Sequence, residues 1–172
     1  MISLNNCGFW YLLNSFNIKN QWVGAMTPPI KLSIPSDPKY LVLIRKVLQE
    51  FLVSHNISSD TAHRLILCVD EACSNIIKYS YQGPCDEPIE TSFIIEGGKF
   101  KVQIRDYGKQ CDASEIKPRC LESIRPGGLG THLMNEIMDE VDYCTKRAKG
   151  TLLTMIKHVK PELTLIQNKD KE

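Results

Sequence analysis

The chain has 172 residues, with 21 basic and 20 acidic side chains and a net charge of +1. This length suits a single domain with its own hydrophobic core. The near-neutral balance and the scattered Lys and Arg do not favour nucleic acid or an anionic membrane as a direct partner. No apolar run approaches the roughly 20 residues that a membrane-spanning helix needs.

The sequence contains seven cysteines, an odd number, with no Cys-x-x-Cys pair among them. This usage predicts reduced thiols in the cytoplasm, in place of a disulfide framework or a zinc site. Cys68 and Cys73 fall on or beside the apolar face of a predicted helix, so we expect both to be buried as small hydrophobic side chains.

Residues 1–29 are predicted to be an N-terminal extension, 30–160 the folded domain and 161–172 a C-terminal tail. The extension has an aromatic run at 9–13 but neither a basic lead nor a convincing cleavage site, so it is a poor signal peptide. Met26 immediately precedes the first predicted strand. Our hypothesis is that translation starts there and that the first 25 residues are upstream sequence.

In chain order, alternation over residues 30–34 predicts a half-buried strand. Asp37 and Pro38 then supply a cap and a first-turn proline for a helix over 40–53. A second helix is predicted over 61–81, capped by one of residues 58–60 and ended by Gly83-Pro84.

The second half predicts strands over 89–96 and 100–106, joined by a turn at Gly97-Gly98. A polar segment without a clear period, 109–126, precedes a helix over 129–138. Strands over 141–145 and 151–158 form a closing hairpin. The fold class is therefore α/β, a two-layer sandwich with one mixed, mostly antiparallel sheet and helices on one face.

The second helix carries Glu71, Asn75 and Lys78 on one stripe. At about 100° per residue, Asn75 lies about 40° from Glu71 and Lys78 about 20° on the other side. A carboxylate, an amide and an ammonium suit a proton acceptor, a metal ligand and a phosphate contact. A solvated helix face carries the same residue types, so the stripe alone leaves both interpretations open.

Asp106 continues the inward-facing parity of Phe100, Val102 and Ile104. A carboxylate at the end of a buried row needs a hydrogen-bond donor, because unpaired burial costs several kcal/mol. Asp106 therefore either caps the turn that follows or binds a ligand.

A glycine-rich turn at Gly127-Gly128-Leu129-Gly130 precedes the third predicted helix. Free N–H groups at a helix start, with glycines that allow close approach, are typical of an anion site. The sequence around it is not a Walker motif, since no Gly-Lys-Ser/Thr is present.

Four segments together resemble the nucleotide-binding boxes of the GHKL (histidine-kinase-like) ATPases, and most of all the small bacterial anti-sigma-factor serine-protein kinases. The resemblance covers roughly residues 30–158 and implies a Bergerat-type ATP-binding fold. The segments are Glu71-Ala72-Cys73-Ser74-Asn75 through Lys78 to Tyr81, then Asp106-Tyr107-Gly108, then Gly127 to Gly130 with Met138-Asp139-Glu140-Val141, and finally Gly150-Thr151.

The resemblance implies ATP and Mg²⁺ as cofactors and a role for each site residue. Asp106 would accept a hydrogen bond from the adenine amine and select ATP over GTP, and Gly108 would let the backbone pass close to the base. Glu71 would be the catalytic base and Asn75 the Mg²⁺ ligand. The remaining contacts would be Lys78, Arg125, Gly127, Gly128, Leu129 and Gly130 at the phosphates and Thr151 and Thr154 near adenine, with 109–126 as a lid.

For some of these residues a plainer interpretation stays open. Lys78 is equally well a surface lysine, Arg125 a solvated loop arginine, and Thr151 and Thr154 hydrogen-bonding strand residues.

The activity implied is phosphoryl transfer from ATP to a serine or threonine of a STAS-type anti-anti-sigma partner, together with sequestration of a sigma factor, by a homodimer. The alternative is an ATP-binding protein-interaction module with little or no kinase activity. Glu71 favours the kinase, because a clamp needs no base. The catalytic domain of a histidine kinase ranks last, since His55 and His63 lie in the wrong setting for a phospho-accepting residue.

Overall fold

The computed structural model describes residues 28–110, 129–146 and 148–160, with Leu129 defined by its backbone only. The predicted extension and tail therefore lie almost wholly outside the described residues. The strands are β1 Ile30–Ser36, β2 Cys85–Glu96, β3 Lys99–Arg105, β4 Glu140–Cys144 and β5 Leu152–His158. The helices are α1 Leu41–Ser54, α2 Ser59–Asn75 and α3 Leu129–Ile137, with a 3₁₀ turn at Pro38–Tyr40 and a π-helical turn at Ile76–Ser80.

The strands form one sheet in the order β1-β2-β3-β5-β4. All four pairs are antiparallel, so the described strands contain no parallel pair of the kind that a mixed sheet implied. The β2–β3 hairpin turns at Gly97 and Gly98, whose φ angles are +57° and +73°. Positive φ at both turn positions matches the twist of paired strands and favours glycine.

The hydrophobic core lies between the helices and one face of the sheet, which confirms the two-layer prediction. Phe51 of α1 packs on Phe93 of β2, with ring centroids 5.6 Å apart. Alternate residues of the central strands face this layer and are fully buried, whereas their neighbours are not. The buried strand residues include Ile89, Phe93, Phe100, Val102, Ile104, Leu153 and Met155.

The predicted caps lie at the start of the 3₁₀ turn that leads into α1 and at the start of α2, whereas α1 itself begins after Tyr40 without a side-chain cap. The Asp37 carboxylate accepts from the backbone N–H of Lys39 at 3.0 Å, with Pro38 next in the chain. The Ser58 hydroxyl oxygen accepts from the backbone N–H of Thr61 at 3.3 Å. Because these bonds satisfy N–H groups that the first turn leaves unpaired, short polar side chains fix where the 3₁₀ turn and α2 start.

The end of α2 differs from the prediction of one regular helix over 61–81. The α-helix stops at Asn75 and continues as a π-helical turn, in which the N–H of Tyr81 donates to the carbonyl of Ile76. The carbonyl of Ser80 has left the helix and accepts from the N–H of Lys109 at 2.8 Å. The helix thus ends with Ser80 paired to the segment after β3.

Cys68 and Cys73 are fully buried and unpaired, as expected. Burial raises the pKa of each thiol to about 12, so both stay protonated at neutral pH and act as small hydrophobic side chains. In the described part of the chain, none of the helices has the length and apolar character needed to cross a membrane.

Asp139 joins the end of α3 to β5. Its backbone N–H donates to the carbonyl of Ile156 at 2.9 Å. Its carboxylate accepts from the backbone N–H of His158 at 2.6 Å and from the ammonium of Lys157 at 2.8 Å. These bonds, with a further one from the His158 ring, hold the pKa of Asp139 well below its usual value of 3.8.

Asp139→Asn is expected to lower the free energy of unfolding by about 1 kcal/mol at pH 7, a value reduced for the partial exposure of the carboxylate. Because the folded-state pKa is lowered, this stability is present above the unfolded pKa and is lost as pH falls. In urea unfolding, the gap between wild type and variant should narrow below about pH 4. Asp142→Asn, on the exposed side of β4, is the matched control, and a gap that is the same at all pH values would contradict the account.

Candidate functional site

The carboxylate of Asp106 is the most buried charged group in the described chain, with 2% exposure. Its Oδ1 accepts from the hydroxyl of Ser80 at 2.5 Å and from the N–H of Gly108 at 3.0 Å. Its Oδ2 accepts from the N–H of Thr151 at 3.2 Å. The inward-facing position predicted from strand parity is confirmed, and so is the capping of the following turn, through Gly108.

Three chain segments meet at Asp106: the π-helical turn, the turn after β3 and the entry to β5. The backbone N–H of Asp106 also donates to the carbonyl of Thr151 at 3.1 Å, so Thr151 is bonded both to the backbone and to the carboxylate of Asp106. An ionised carboxylate has about four acceptor positions, and three are used here. The remaining position, on Oδ2, receives no hydrogen bond from the described residues.

Tyr81 holds the turn after Asp106 from the other side. Its hydroxyl accepts from the N–H of Tyr107 at 2.9 Å and donates to the carbonyl of Pro88 at 2.7 Å. Burial raises the pKa of Tyr81 to about 12, so the phenol keeps the proton that it donates. Sequence reasoning placed Tyr81 in a motif without giving it a role.

Gly108 lies against the protein, whereas the prediction placed it against a base. A Cβ at Gly108 would sit 2.5 Å from the carbonyl oxygen and 2.7 Å from the hydroxyl oxygen of Ser80. The same argument applies to Gly150, which has φ +63° and where a Cβ would meet the backbone of Asp106. Both glycines permit the backbone crossings that bury Asp106.

Glu71 and Asn75 meet the start of α3. A Cβ at Gly130 would lie 2.5 Å from Oε2 of Glu71 and 3.3 Å from Nδ2 of Asn75. Two residues of the predicted stripe and one glycine of the predicted anion turn therefore form one group. The side chain of Glu71 makes no hydrogen bond or ion pair with another residue of the described ranges, so its carboxylate is available as an acceptor.

Other predicted residues lie apart from this group. Lys78 is exposed in the π-helical turn, with its ammonium 5.1 Å from the ring centroid of Tyr79. Thr154 pairs with Gln103, whose amide donates to its hydroxyl at 3.3 Å, and both face away from the helices. Thr151 joins the site through its backbone. Arg125, Gly127, Gly128, the side chain of Leu129 and nearly all of the predicted lid lie outside the described residues.

Ser80 is the site residue that sequence analysis missed. Its signal is the (i, i+26) pairing of a helix-end hydroxyl with a buried strand-end carboxylate, which no local spacing predicts.

The sequence matches the family described as histidine kinase-like ATPase domain over residues 34–157. The chain belongs to this family. The predicted membership of the histidine-kinase-like ATPases is thereby confirmed, and an ATPase domain implies an ATP site.

Among similar proteins of this family are serine-protein kinases RsbW. The protein from Listeria monocytogenes is 30% identical over 127 residues, covering 69% of this chain and 81% of its own. That from Bacillus subtilis is 26% identical over 141 residues, covering 77% and 87%. That from Staphylococcus epidermidis is 28% identical over 142 residues, covering 77% and 88%. The predicted resemblance to this group of kinases is confirmed.

A crystal structure of RsbU and RsbW domains from Mycobacterium tuberculosis is similar in fold. The match has a TM-score of 0.58 at 16% identity and covers 77% of this chain but 33% of the other. This chain thus shares its fold with that structure, and the similar RsbW proteins are matched over most of their length.

The polar side chains at this site are of the types that can contact the nucleotide of an ATPase. Asp106 offers one acceptor position in a buried setting, which suits an amine on a base. Within the described residues, no cluster of three His, Cys, Asp or Glu side chains is placed to hold a metal by itself. Mg²⁺ typically takes one or two protein oxygens plus phosphates and water, and the Asn75 side chain beside Gly130 can supply one.

Two glycine variants test whether Gly108 is needed for stability while Gly130 only leaves space beside Glu71. Gly108→Ala should lower the free energy of unfolding by about 1–3 kcal/mol, because the new methyl group meets the backbone of Ser80. Gly130→Ala should be neutral or slightly stabilising, because alanine favours a helix and only the mobile end of Glu71 must shift. Chemical denaturation of both variants checks this, and equal losses would contradict it.

Proposed function

We propose that this chain is an ATP-dependent serine/threonine-protein kinase and anti-sigma regulatory factor. It phosphorylates a STAS-type anti-anti-sigma partner and, when not engaged with that partner, sequesters a sigma factor. The similarity to proteins named serine-protein kinases supports the reaction class. The observation that carries the proposal is the close approach of Gly130 to Glu71 and Asn75.

In this proposal Asp106 binds the base. The open acceptor position on Oδ2 receives the exocyclic amine of adenine, whereas guanine presents a carbonyl at the same position and leaves two acceptors facing each other. An unpaired buried acceptor is costly, so this single contact discriminates between the two purines.

Glu71 is proposed as the catalytic base, which accepts the proton of the partner's hydroxyl. The carboxylate is partly buried, lies beside the start of α3 and has no partner within the described residues that would compete for it. A module that only clasps a partner would not need a carboxylate at this place.

Asn75 is proposed to hold Mg²⁺ through its side-chain oxygen, one helical turn from Glu71. Bound Mg²⁺ neutralises the negative charge on the phosphate oxygens. The unpaired N–H groups that begin α3 at Gly130, beside Glu71 and Asn75, would favour an anion there. Arg125, Gly127, Gly128 and Leu129 remain proposed phosphate contacts.

We propose that the protein works as a homodimer in the cytoplasm. Four described cysteines are free, namely Cys68, Cys73, Cys85 and Cys144, which suits a reducing compartment.

Glu71→Gln is expected to lower phosphoryl transfer at least about 100-fold, because the amide cannot accept the proton. The dissociation constant for ATP should change less than about threefold, since the base is not a nucleotide anchor. The measurement is the gain of one phosphate on a STAS-domain protein, followed by intact mass spectrometry, beside ATP titration.

Glu50→Gln, on the exposed side of α1, is the matched control and should transfer at the wild-type rate. If Glu71→Gln transfers as well as wild type, Glu71 is not the base. If wild type binds ATP and transfers nothing to STAS proteins, the chain is the interaction module instead of the kinase.

Asp106→Asn should fold cooperatively, because one oxygen still accepts from Ser80 and Gly108. The new amide faces the N–H of Thr151, so we expect a stability loss of about 1–3 kcal/mol. ATP affinity should fall at least about tenfold, and GTP affinity should fall less, because a donor now faces the base. Titrations with both nucleotides and a thermal melt check this, and an unchanged ATP preference would contradict the role of Asp106.

A further inference from the structure

We propose that Ser80 is a positioning residue that sets the purine preference of the site by orienting the Asp106 carboxylate. The inference rests on the proposed nucleotide site and concerns a residue to which the sequence motifs gave no role. It starts from the 2.5 Å hydrogen bond between the Ser80 hydroxyl and Oδ1 of Asp106.

The Ser80 hydroxyl has one proton and two acceptors within reach. Oδ1 of Asp106 is at 2.5 Å, and the carbonyl oxygen of Lys109 is at 3.0 Å. The carboxylate is the closer acceptor and carries the charge, so the Ser80 hydroxyl donates its hydrogen bond to Oδ1 of Asp106. A charge-assisted bond of this length is among the stronger hydrogen bonds in proteins and restricts rotation of the carboxylate.

Ser80 and Gly108 together occupy Oδ1, while Thr151 occupies one position of Oδ2. With these three donors in place, the plane of the carboxylate is fixed and only Oδ2 retains an open acceptor position. Without the Ser80 donor, Oδ1 also has an open position, and the two oxygens become similar. The Ser80 hydroxyl therefore determines which oxygen of the Asp106 carboxylate a base contacts, and from which direction.

The fold holds Ser80 in place for this task. The carbonyl of Ser80 accepts from the N–H of Lys109. The backbone of Gly108 lies against Ser80 without room for a Cβ. Ser80 therefore cannot move away from Asp106 without disturbing residues 106–109.

A purely structural role for Ser80 would have a different consequence. It would tether residues 106–109 and weaken the binding of every nucleotide alike, because ribose and phosphates are common to all of them. A positioning role would instead change the difference in affinity between nucleotides that carry different bases. The informative quantity is therefore the ratio of dissociation constants for two nucleotides that differ at the position of the adenine amine.

The test is titration of the full chain with ATP and with inosine triphosphate, which has a carbonyl in place of the amine, each with Mg²⁺. The variants are Ser80→Ala and Ser80→Cys, where the thiol is a weak donor of similar shape. Both should lower the preference for ATP over inosine triphosphate about tenfold, a typical effect of losing a hydrogen bond to a charged group. Ser54→Ala is the matched control, since Ser54 ends α1 and donates to the carbonyl of Phe51 at 2.7 Å; it should keep the wild-type ratio.

A wild-type ratio in Ser80→Ala, or in Ser80→Cys alone, would overturn the inference, because it would show that the hydrogen bond does not set the preference. Asp106→Asn separates this failure from that of the proposed function. If Asp106→Asn loses the preference while Ser80→Ala keeps it, only the role of Ser80 falls. If wild type binds neither nucleotide, both proposals fall.

Discussion

A carboxylate that is removed from water needs hydrogen-bond donors from the protein. The buried Asp106 therefore requires several parts of the domain to supply them. The donors come from the end of the central helix, from the turn after β3 and from the entry to β5. Each segment must therefore be held at hydrogen-bond distance from the others. The cost of burying an unpaired charge makes this junction an all-or-none feature of the fold.

The π-helical turn and the glycines are consequences of that requirement. The Ser80 carbonyl, at the end of the π turn, accepts from the N–H of Lys109, and a continuing α-helix could not pair it because the residue four positions on is Pro84. Side chains at Gly108 and Gly150 would push apart the backbones that meet around Asp106. Local departures from regular structure are common at functional sites, and here each departure has an identifiable contact that requires it.

One continuous helix links the two ends of the proposed site. Glu71 and Asn75 face the start of α3, and Ser80 lies at Asp106, five residues beyond Asn75. Asp139 holds the far end of α3 against β5.

Much of this arrangement follows from the sequence, because it depends on periodicities that sequence displays. Strand parity predicted the burial of Asp106, and helical spacing placed Glu71 and Asn75 together. The π turn was not predictable, since one extra residue in a turn leaves the preceding apolar pattern unchanged. Thr154 was predicted from the resemblance to lie near adenine, but it pairs with Gln103 on the sheet face away from the helices, opposite in parity to buried Leu153 and Met155.

The most direct test of the central claim is calorimetric titration of the wild-type protein with ATP and with GTP, each with Mg²⁺. The claim is that the one open acceptor position of buried Asp106 recognises an amine on the base. It predicts that ATP binds and that GTP binds at least about tenfold more weakly. Equal affinity for the two nucleotides, or binding of neither, would contradict it.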